Sequence, residues 1–178
     1  MECQFIYMYS IIVAADENNG IGKNNQLPWS LKEDMKYFKN VTTKVYKEKD
    51  KNVVIMGKNT WYSIPEKFRP LKDRLNIVLT KEKNIKDCIC LTSFESALEY
   101  VNTLTNINET FVIGGAKLYE TAMLNKNLQT IFFTKIHHKF DCDVYFPKIT
   151  ENFYLTYCQH NEENGIKYSF ELYKNNII

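Results

Sequence analysis

The chain has 178 residues, a length that suits one domain with a real core. Hydrophobic residues make up 44%, so a packed globular fold is expected rather than disorder. A formal net charge of +2 is too small to argue for nucleic acid or an anionic membrane, and no apolar run approaches the roughly 18 residues of a membrane span.

The N-terminal stretch MECQFIYMYSIIVAAD contains Glu2 and no basic n-region, so it reads as a strand rather than a signal peptide. Its apolar run, residues 7–15, predicts a strand buried on both faces. A polar, turn-rich loop follows over residues 16–26. Within it Gly20-Ile21-Gly22 lacks the third glycine of a dinucleotide fingerprint, because Asn25 stands there, and the glycines read as flexible loop. The opening helix lies in LPWSLKEDMKYF, with Pro28 ahead of it, Ser30 as N-cap and Glu33 completing a capping-box pattern. At about 100° per residue, Leu31, Asp34, Met35 and Phe38 share its apolar face, while Lys32, Glu33 and Lys36 point to water. Residues 44–51, rich in Lys and interrupted by Glu48 and Asp50, form a solvated loop. Residues 52–56 (NVVIM) are a strand, and residues 60–64 a helical turn stopped by Pro65. Strands follow at 75–80 and 88–91, then a helix N-capped by Ser93. A strand at 110–113 runs into Gly114-Gly115 and a helix from Ala116, with a further strand at 129–136. The tail from Phe153 to Tyr173 alternates apolar and polar about Asn164-Gly165, a strong hairpin signal.

Strand and helix in alternation imply a single α/β domain over 1–178. Its mostly parallel sheet has about eight strands with about four flanking helices, and the hairpin adds antiparallel strands at one edge. In such sheets ligands bind at the carboxyl ends of the strands. The cysteines, Cys3, Cys88, Cys90, Cys142 and Cys158, are odd in number and form no C-x-x-C pair. Free thiols in a reducing compartment are expected, hence a cytoplasmic location. Adjacent His137 and His138 would point to opposite faces of a strand, so no metal site is expected.

Several strand ends carry phosphate-type chemistry. Gly114-Gly115 lets a ligand approach the backbone, and the N–H groups of Ala116, Lys117 and Leu118 would open a helix N-terminus toward an anion. An ordinary tight turn is the alternative. Gly57-Lys58-Asn59-Thr60 repeats the pattern, and Thr80-Lys81 closes another strand with a hydroxyl and a cation. Together they suggest a nucleotide cofactor with several phosphates. Asp34 is either a structural carboxylate paired inside the fold or a pocket anion that accepts two parallel hydrogen bonds from an amidine-like heterocycle edge. Helix geometry does not choose between these.

The strings Gly20-Ile-Gly-Lys-Asn-Asn-Gln-Leu-Pro-Trp29, Val54-Ile-Met-Gly-Lys-Asn-Thr-Trp61, Ser63-Ile-Pro65, Arg69-Pro-Leu-Lys-Asp-Arg74, Ile113-Gly-Gly-Ala-Lys-Leu-Tyr119 and Asp143-Val-Tyr-Phe-Pro147 resemble dihydrofolate reductase, in that family's order and spacing. The resemblance runs from Ile12 to Tyr173 and implies the dihydrofolate reductase fold. It implies hydride transfer from NADPH to C6 of 7,8-dihydrofolate with protonation at N5, in one-carbon metabolism and thymidylate synthesis. By resemblance Asp34 holds the pterin's 2-amino and N3 edge, Thr134 supports that carboxylate, Trp29 orders a water near it, and Arg74 takes the substrate's α-carboxylate. Ile12, Val13, Ala14, Leu27, Met35, Phe38, Ser63, Ile64, Leu71, Ile113 and Tyr119 line the substrate pocket. Lys58, Asn59 and Thr60, with Gly115 to Leu118, grip the diphosphate. Thr80 and Lys81 meet the 2′-phosphate, and Ala14, Ile21, Gly22, Gly57, Leu79, Ile113, Gly114 and Tyr119 complete the cofactor site. The loop over residues 16–26 closes over the nicotinamide, and Gly114-Gly115 is joined by a cis peptide. Antifolate inhibitors are expected ligands, and the chain is expected to act as a monomer unless it is part of a thymidylate synthase fusion. Many relatives carry a basic residue in place of Asn59, and some an arginine near Thr92-Ser93, so the 2′-phosphate charge falls here to Lys81 and Lys58.

Only one carboxylate is expected in the pocket, and it faces N3, so a water is expected to hand the proton to N5. Two rival readings remain: a reductase of a related pterin or pyrimidine intermediate on the same fold, and a ligand-binding module without catalysis. Arg74 argues against the first by implying a carboxylate-ended substrate; Asp34, Thr134 and Trp29 together argue against the second.

Overall fold

In the computed structural model, which describes residues 8–176, strand β1 (Tyr9–Ala15) is buried along almost its whole length. Tyr7, assigned to this strand from the sequence, and Cys3 lie outside the described residues. Ile11, Val13 and Ala15 join the core on one side of the sheet, and Ile12 joins the core on the other. Burial on both faces explains why this strand reads as an unbroken apolar run.

The remaining elements follow in chain order: β2 (Gly20–Gly22), α1 (Lys32–Thr43), β3 (Lys51–Gly57), α2 (Lys58–Ser63), a 3-10 turn (Glu66–Phe68), β4 (Arg74–Leu79), β5 (Ile89–Leu91), α3 (Phe94–Asn102), β6 (Ile107–Val112), α4 (Ala116–Leu124), β7 (Leu128–Ile136), β8 (Val144–Tyr145), β9 (Phe153–Glu163) and β10 (Ile166–Asn175). One eight-stranded sheet has the order β5-β4-β3-β6-β1-β7-β10-β9. Every neighbouring pair from β5 to β7 is parallel, and β10 runs antiparallel to both β7 and β9. This is the mostly parallel sheet with a closing hairpin expected from the alternation of elements. The helices α3 and α4 cover one face through Phe94, Ala97, Val101, Leu118 and Ala122. On the other face Phe38 and Val41 of α1 and Trp61 of α2 pack beside Val54, Met56 and Val78.

Local chemistry accounts for several boundaries. Ser93 caps α3 in a reciprocal capping box with Ser96. Asn164 (φ 52°) and Gly165 (φ 77°) turn the β9–β10 hairpin with two left-handed residues, as a two-residue turn between right-twisted strands requires. The peptides Arg69–Pro70 and Gly114–Gly115 are cis.

Two expectations are corrected. Ser30 does not cap α1: the N-cap is Leu31, which makes no side-chain cap. Instead the N–H groups of Lys32 and Glu33 donate to the carboxylate of Glu163, at 2.9 and 3.1 Å. Gly20 and Gly22 are not free loop but form β2, which pairs with β8.

Candidate active site

The carboxyl ends of β1, β3, β4 and β6 open into one cavity of about 1910 Å3. It is lined from β1 (Ile12, Val13, Ala14), from α1 (Asp34, Met35, Phe38), from α2 and its C-terminal flank (Lys58, Asn59, Thr60, Ser63, Ile64), and from the start of α4 (Ala116, Lys117, Leu118, Tyr119). Ile21, Gly22, Leu27, Gly57, Leu71, Arg74, Leu79, Thr80, Lys81, Ile113, Gly114, Gly115 and Thr134 complete the set that the sequence singled out. Trp29 stands apart. It lines a neighbouring cavity of about 320 Å3 that shares Leu27, Asp34 and Met35 with the larger one.

Asp34 sits in the first turn of α1 and is only 7% exposed. Burial pushes its carboxyl up to about 6, a hydrogen bond with Thr134 pulls it down, and the charge of Glu163 raises it further. Thr134 reaches it from β7, where it pairs with Ala14 on one side and Phe170 on the other. Glu95 and Asp143 also line the large cavity, but both are exposed, so Asp34 is the buried acid of the three. Met35 and Leu27 are 55% and 48% exposed and face the cleft, so this side of α1 is a pocket wall more than a core stripe. The indole Nε1 of Trp29 is buried and makes no hydrogen bond among the described residues.

Arg74 opens β4 with its guanidinium already held. Nε donates to the Lys72 carbonyl at 2.9 Å and Nη1 to Thr42 Oγ1 at 2.8 Å, and the group lies 5.9 Å from the Phe38 ring centroid. Burial lowers its pKa and Asp73 opposes that. A fixed, half-buried guanidinium on the cavity wall suits a planar carboxylate. Tyr119 lines the cavity, but its hydroxyl is committed to the Ile12 carbonyl at 2.8 Å, which ties α4 to β1.

At the ends of β3 and β6, Gly57 N–H donates to the Gly114 carbonyl at 2.8 Å, bringing the β3–α2 and β6–α4 turns together. A Cβ at Gly114 or Gly115 would stand 3.2 or 3.3 Å from Thr60 Oγ1, so the glycines leave room that a side chain would fill. The N-cap of α4 is Gly115, with no side-chain cap on its first N–H groups. That is an anion cradle. Lys58 forms an exposed ion pair with Glu82, which also accepts from the Tyr62 hydroxyl at 3.2 Å. A phosphate at Lys58 would compete with that carboxylate. The sequence carried a signal for Glu82 in the string TKEK, where an acid stands beside the phosphate-type Thr80-Lys81. Glu163 could be found only from the folded chain, since it meets α1 across 131 residues. The loop expected to close over the cleft is tethered by β2–β8 pairing and by the buried Asp16 carboxylate, which accepts from the N–H groups of Asn18, Gly20 and Phe140 at 2.8–2.9 Å.

An α/β sheet whose strand ends open into one cleft holding an anion cradle, a buried carboxylate and a fixed guanidinium has the layout of a nucleotide-dependent reductase. The comparisons with known proteins narrow the class. A family model described as dihydrofolate reductase matches residues 8–175. Dihydrofolate reductase from Heliothis virescens is 40% identical, covering 93% of this chain and 96% of its own length. That from Bos taurus is 41% identical with the same coverage. The bifunctional dihydrofolate reductase-thymidylate synthase 2 of Arabidopsis thaliana is 36% identical over 91% of this chain, which spans 30% of that protein. The chain belongs to the dihydrofolate reductase family.

Proposed function

We propose that this chain carries out the reaction of its family, reduction of 7,8-dihydrofolate to 5,6,7,8-tetrahydrofolate, with NADPH as reductant. The observation that carries the reading is Asp34, buried against Thr134 on the wall of a cleft whose other walls hold Arg74 and the α4 cradle. The residues fit a nucleotide with a diphosphate: the α4 N-terminus, the close-approaching glycines and the hydroxyl of Thr60 form a place for it. When bound, NADPH supplies the hydride.

The protein's own residues orient the substrate and manage its proton. Asp34 accepts hydrogen bonds from the amino and N3 edge of the pterin, and Thr134 holds the carboxylate in place. Phe38, Ile64 and Leu71 supply the apolar walls, and Arg74 takes the carboxylate of the glutamate tail. The same contact separates this reading from a reductase of a smaller pterin or pyrimidine, which would have no use for a fixed guanidinium. Because Asp34 addresses the N3 edge, water delivers the proton to N5. The indole N–H of Trp29, buried beside a cavity that Asp34 also lines, suits holding such a water. In this reading residues 1–178 act as one domain, antifolate inhibitors enter the same cleft, and the enzyme works in the cytoplasm as a monomer unless the chain is part of a thymidylate synthase fusion. No helix among the described residues is long and apolar enough to cross a membrane.

The test follows NADPH absorbance with dihydrofolate. Wild type turns over, and Asp34→Asn loses roughly two or more orders of magnitude in turnover. The hydride step falls as pH rises, because N5 then holds its water-delivered proton less often, and the charge of Asp34 sets the midpoint through its field on the ring. No wild-type turnover overturns the function, and an unimpaired Asn variant overturns the role of Asp34. A hydride rate flat over roughly pH 6 to 9 overturns the proton supply described here.

A further inference from the structure

Helix α1 carries the residue on which the proposed chemistry rests, yet it supplies no cap for its own N-terminus. Leu31 occupies the N-cap with extended backbone and an apolar side chain. The first N–H groups of a helix need acceptors, and here they come from a distant element. Glu163, the last residue of β9, accepts from Lys32 N–H with Oε1 at 2.9 Å and from Glu33 N–H with Oε2 at 3.1 Å. One carboxylate thus spans two consecutive amides, immediately before Asp34 in the chain. The negative charge also suits the positive end of the helix, and these two hydrogen bonds hold the Glu163 carboxyl below its ordinary value.

The same hairpin meets α1 again one turn later. Tyr37 stacks on Phe170 of β10, with ring centroids 4.0 Å apart and planes at 17°. Phe170 is in turn the register partner of Thr134 on β7. A closed circuit results: Asp34 to Thr134, Thr134 across the sheet to Phe170, Phe170 to Tyr37, and the hairpin tip back to the amides beside Asp34. Within it, Glu163 is the polar tie at the N-terminal end of α1.

We propose that Glu163 is a positioning residue of the reductase: its carboxylate clamps the N-terminus of α1 and so fixes where Asp34 stands against Thr134. This rests on Asp34 being the substrate anchor. The clamp places a second negative charge near that anchor. The groups that face Asp34 are Thr134 from β7, Glu163 from β9, Tyr168 from β10, and Tyr37 on its own helix. Of these, Glu163 is the carboxylate, and its charge favours the protonated form of Asp34.

Two variants separate clamp from charge. Glu163→Gln keeps one acceptor oxygen and removes the charge; Glu163→Ala removes both. In both, the amides of Lys32 and Glu33 are expected to exchange hydrogen at least about threefold faster in the ligand-free protein, because the tie to β9 is weakened or gone. In Glu163→Ala the KM for dihydrofolate rises roughly five- to tenfold with a smaller change in kcat, since the anchor is misplaced rather than absent. In Glu163→Gln the pH midpoint of the hydride step moves down by roughly 0.2 to 0.5, a shift that a merely structural role would not produce. Unchanged amide exchange, or a KM within about twofold of wild type together with an unmoved midpoint, overturns the proposal. Should Glu163→Ala not fold, Glu163→Gln decides alone by exchange and midpoint. Asp34→Asn serves as the control. If it is fully active, the anchor reading fails. If it is crippled while both Glu163 variants behave as wild type, only the clamp fails.

Discussion

Asp34 is placed where its ionisation opposes folding. Its ordinary value is 3.8, and burial carries it to about 6 in the folded chain. Folding therefore favours the protonated form. The stabilisation from this group is complete below the unfolded value and is lost as pH rises through about 6. The difference between the two values corresponds to about 3 kcal/mol at neutral pH and above. An asparagine cannot ionise, so Asp34→Asn is expected to raise the unfolding temperature of the ligand-free protein at about pH 8 and to change it little at about pH 4.5. Thermal unfolding at the two pH values measures this. A variant that gains stability where it loses activity would identify Asp34 as a strained, functional charge. Glu82 poses a parallel case at the cofactor end. It neutralises Lys58 by an ion pair and so competes with any phosphate that Lys58 could meet. Glu82→Gln is expected to raise the NADPH over NADH ratio of kcat/KM roughly three- to tenfold, read by steady-state kinetics with both cofactors.

At the scale of elements, the β6–α4 turn is constrained in backbone conformation and in space at once. Gly114 has φ +126°, a backbone that L side chains rarely adopt, and a Cβ there would meet Thr60 Oγ1 at 3.2 Å and the Tyr119 hydroxyl at 3.5 Å. Gly114→Ala is expected to destabilise the protein by about 1–3 kcal/mol. It should weaken cofactor binding further by moving the α4 amides. Thermal unfolding and cofactor titration separate the two effects. This turn was legible in the sequence, since paired glycines between a buried strand and a helix have few other uses. The hairpin at Asn164-Gly165 and the two-faced burial of β1 were legible for similar reasons: local chemistry and periodicity decide them. What escaped the sequence depends on contacts across the fold. The N-terminus of α1 looked capped by Ser30, but Glu163 wins because the hairpin brings a full carboxylate to two amides at once. Strand β2 was invisible because three residues form a strand only when β8 lies beside them. In the cleft, helix periodicity placed Asp34 beside Met35 and Phe38 but left its role open. Its burial against Thr134 and the gathering of the predicted residues around one cavity support the anchor reading.

For the whole molecule, the cleft depends on segments far apart in sequence being held at one end of the sheet. Asp16 is the junction. It ends β1's run into the loop, is almost wholly buried, and its carboxylate collects the N–H groups of Asn18 and Gly20 at 2.9 and 2.8 Å on Oδ1 and of Phe140 at 2.8 Å on Oδ2. The segment after β7 is thereby tied to the loop that places Ile21 and Gly22 on the cavity wall. Further ties reinforce the contact: Asp143 N–H to the Gly22 carbonyl at 2.9 Å, Phe146 N–H to the Asn19 carbonyl at 2.7 Å, and the Lys23–Asp141 ion pair at 3.1 Å. Replacing Asp16 by asparagine keeps the shape but sets an amide donor against backbone donors. A buried N–H would then lose its acceptor, which costs about 1–3 kcal/mol. Asp16→Asn is therefore expected to lower the unfolding temperature by several degrees. Because the loop lines the cavity next to β1, while Arg74 and Leu71 lie on the far wall, the KM for NADPH should rise more than the KM for dihydrofolate. Thermal unfolding and the two KM values measure the outcome. A stability loss with both KM values unchanged would mean that the junction serves the fold and not the closure of the cleft.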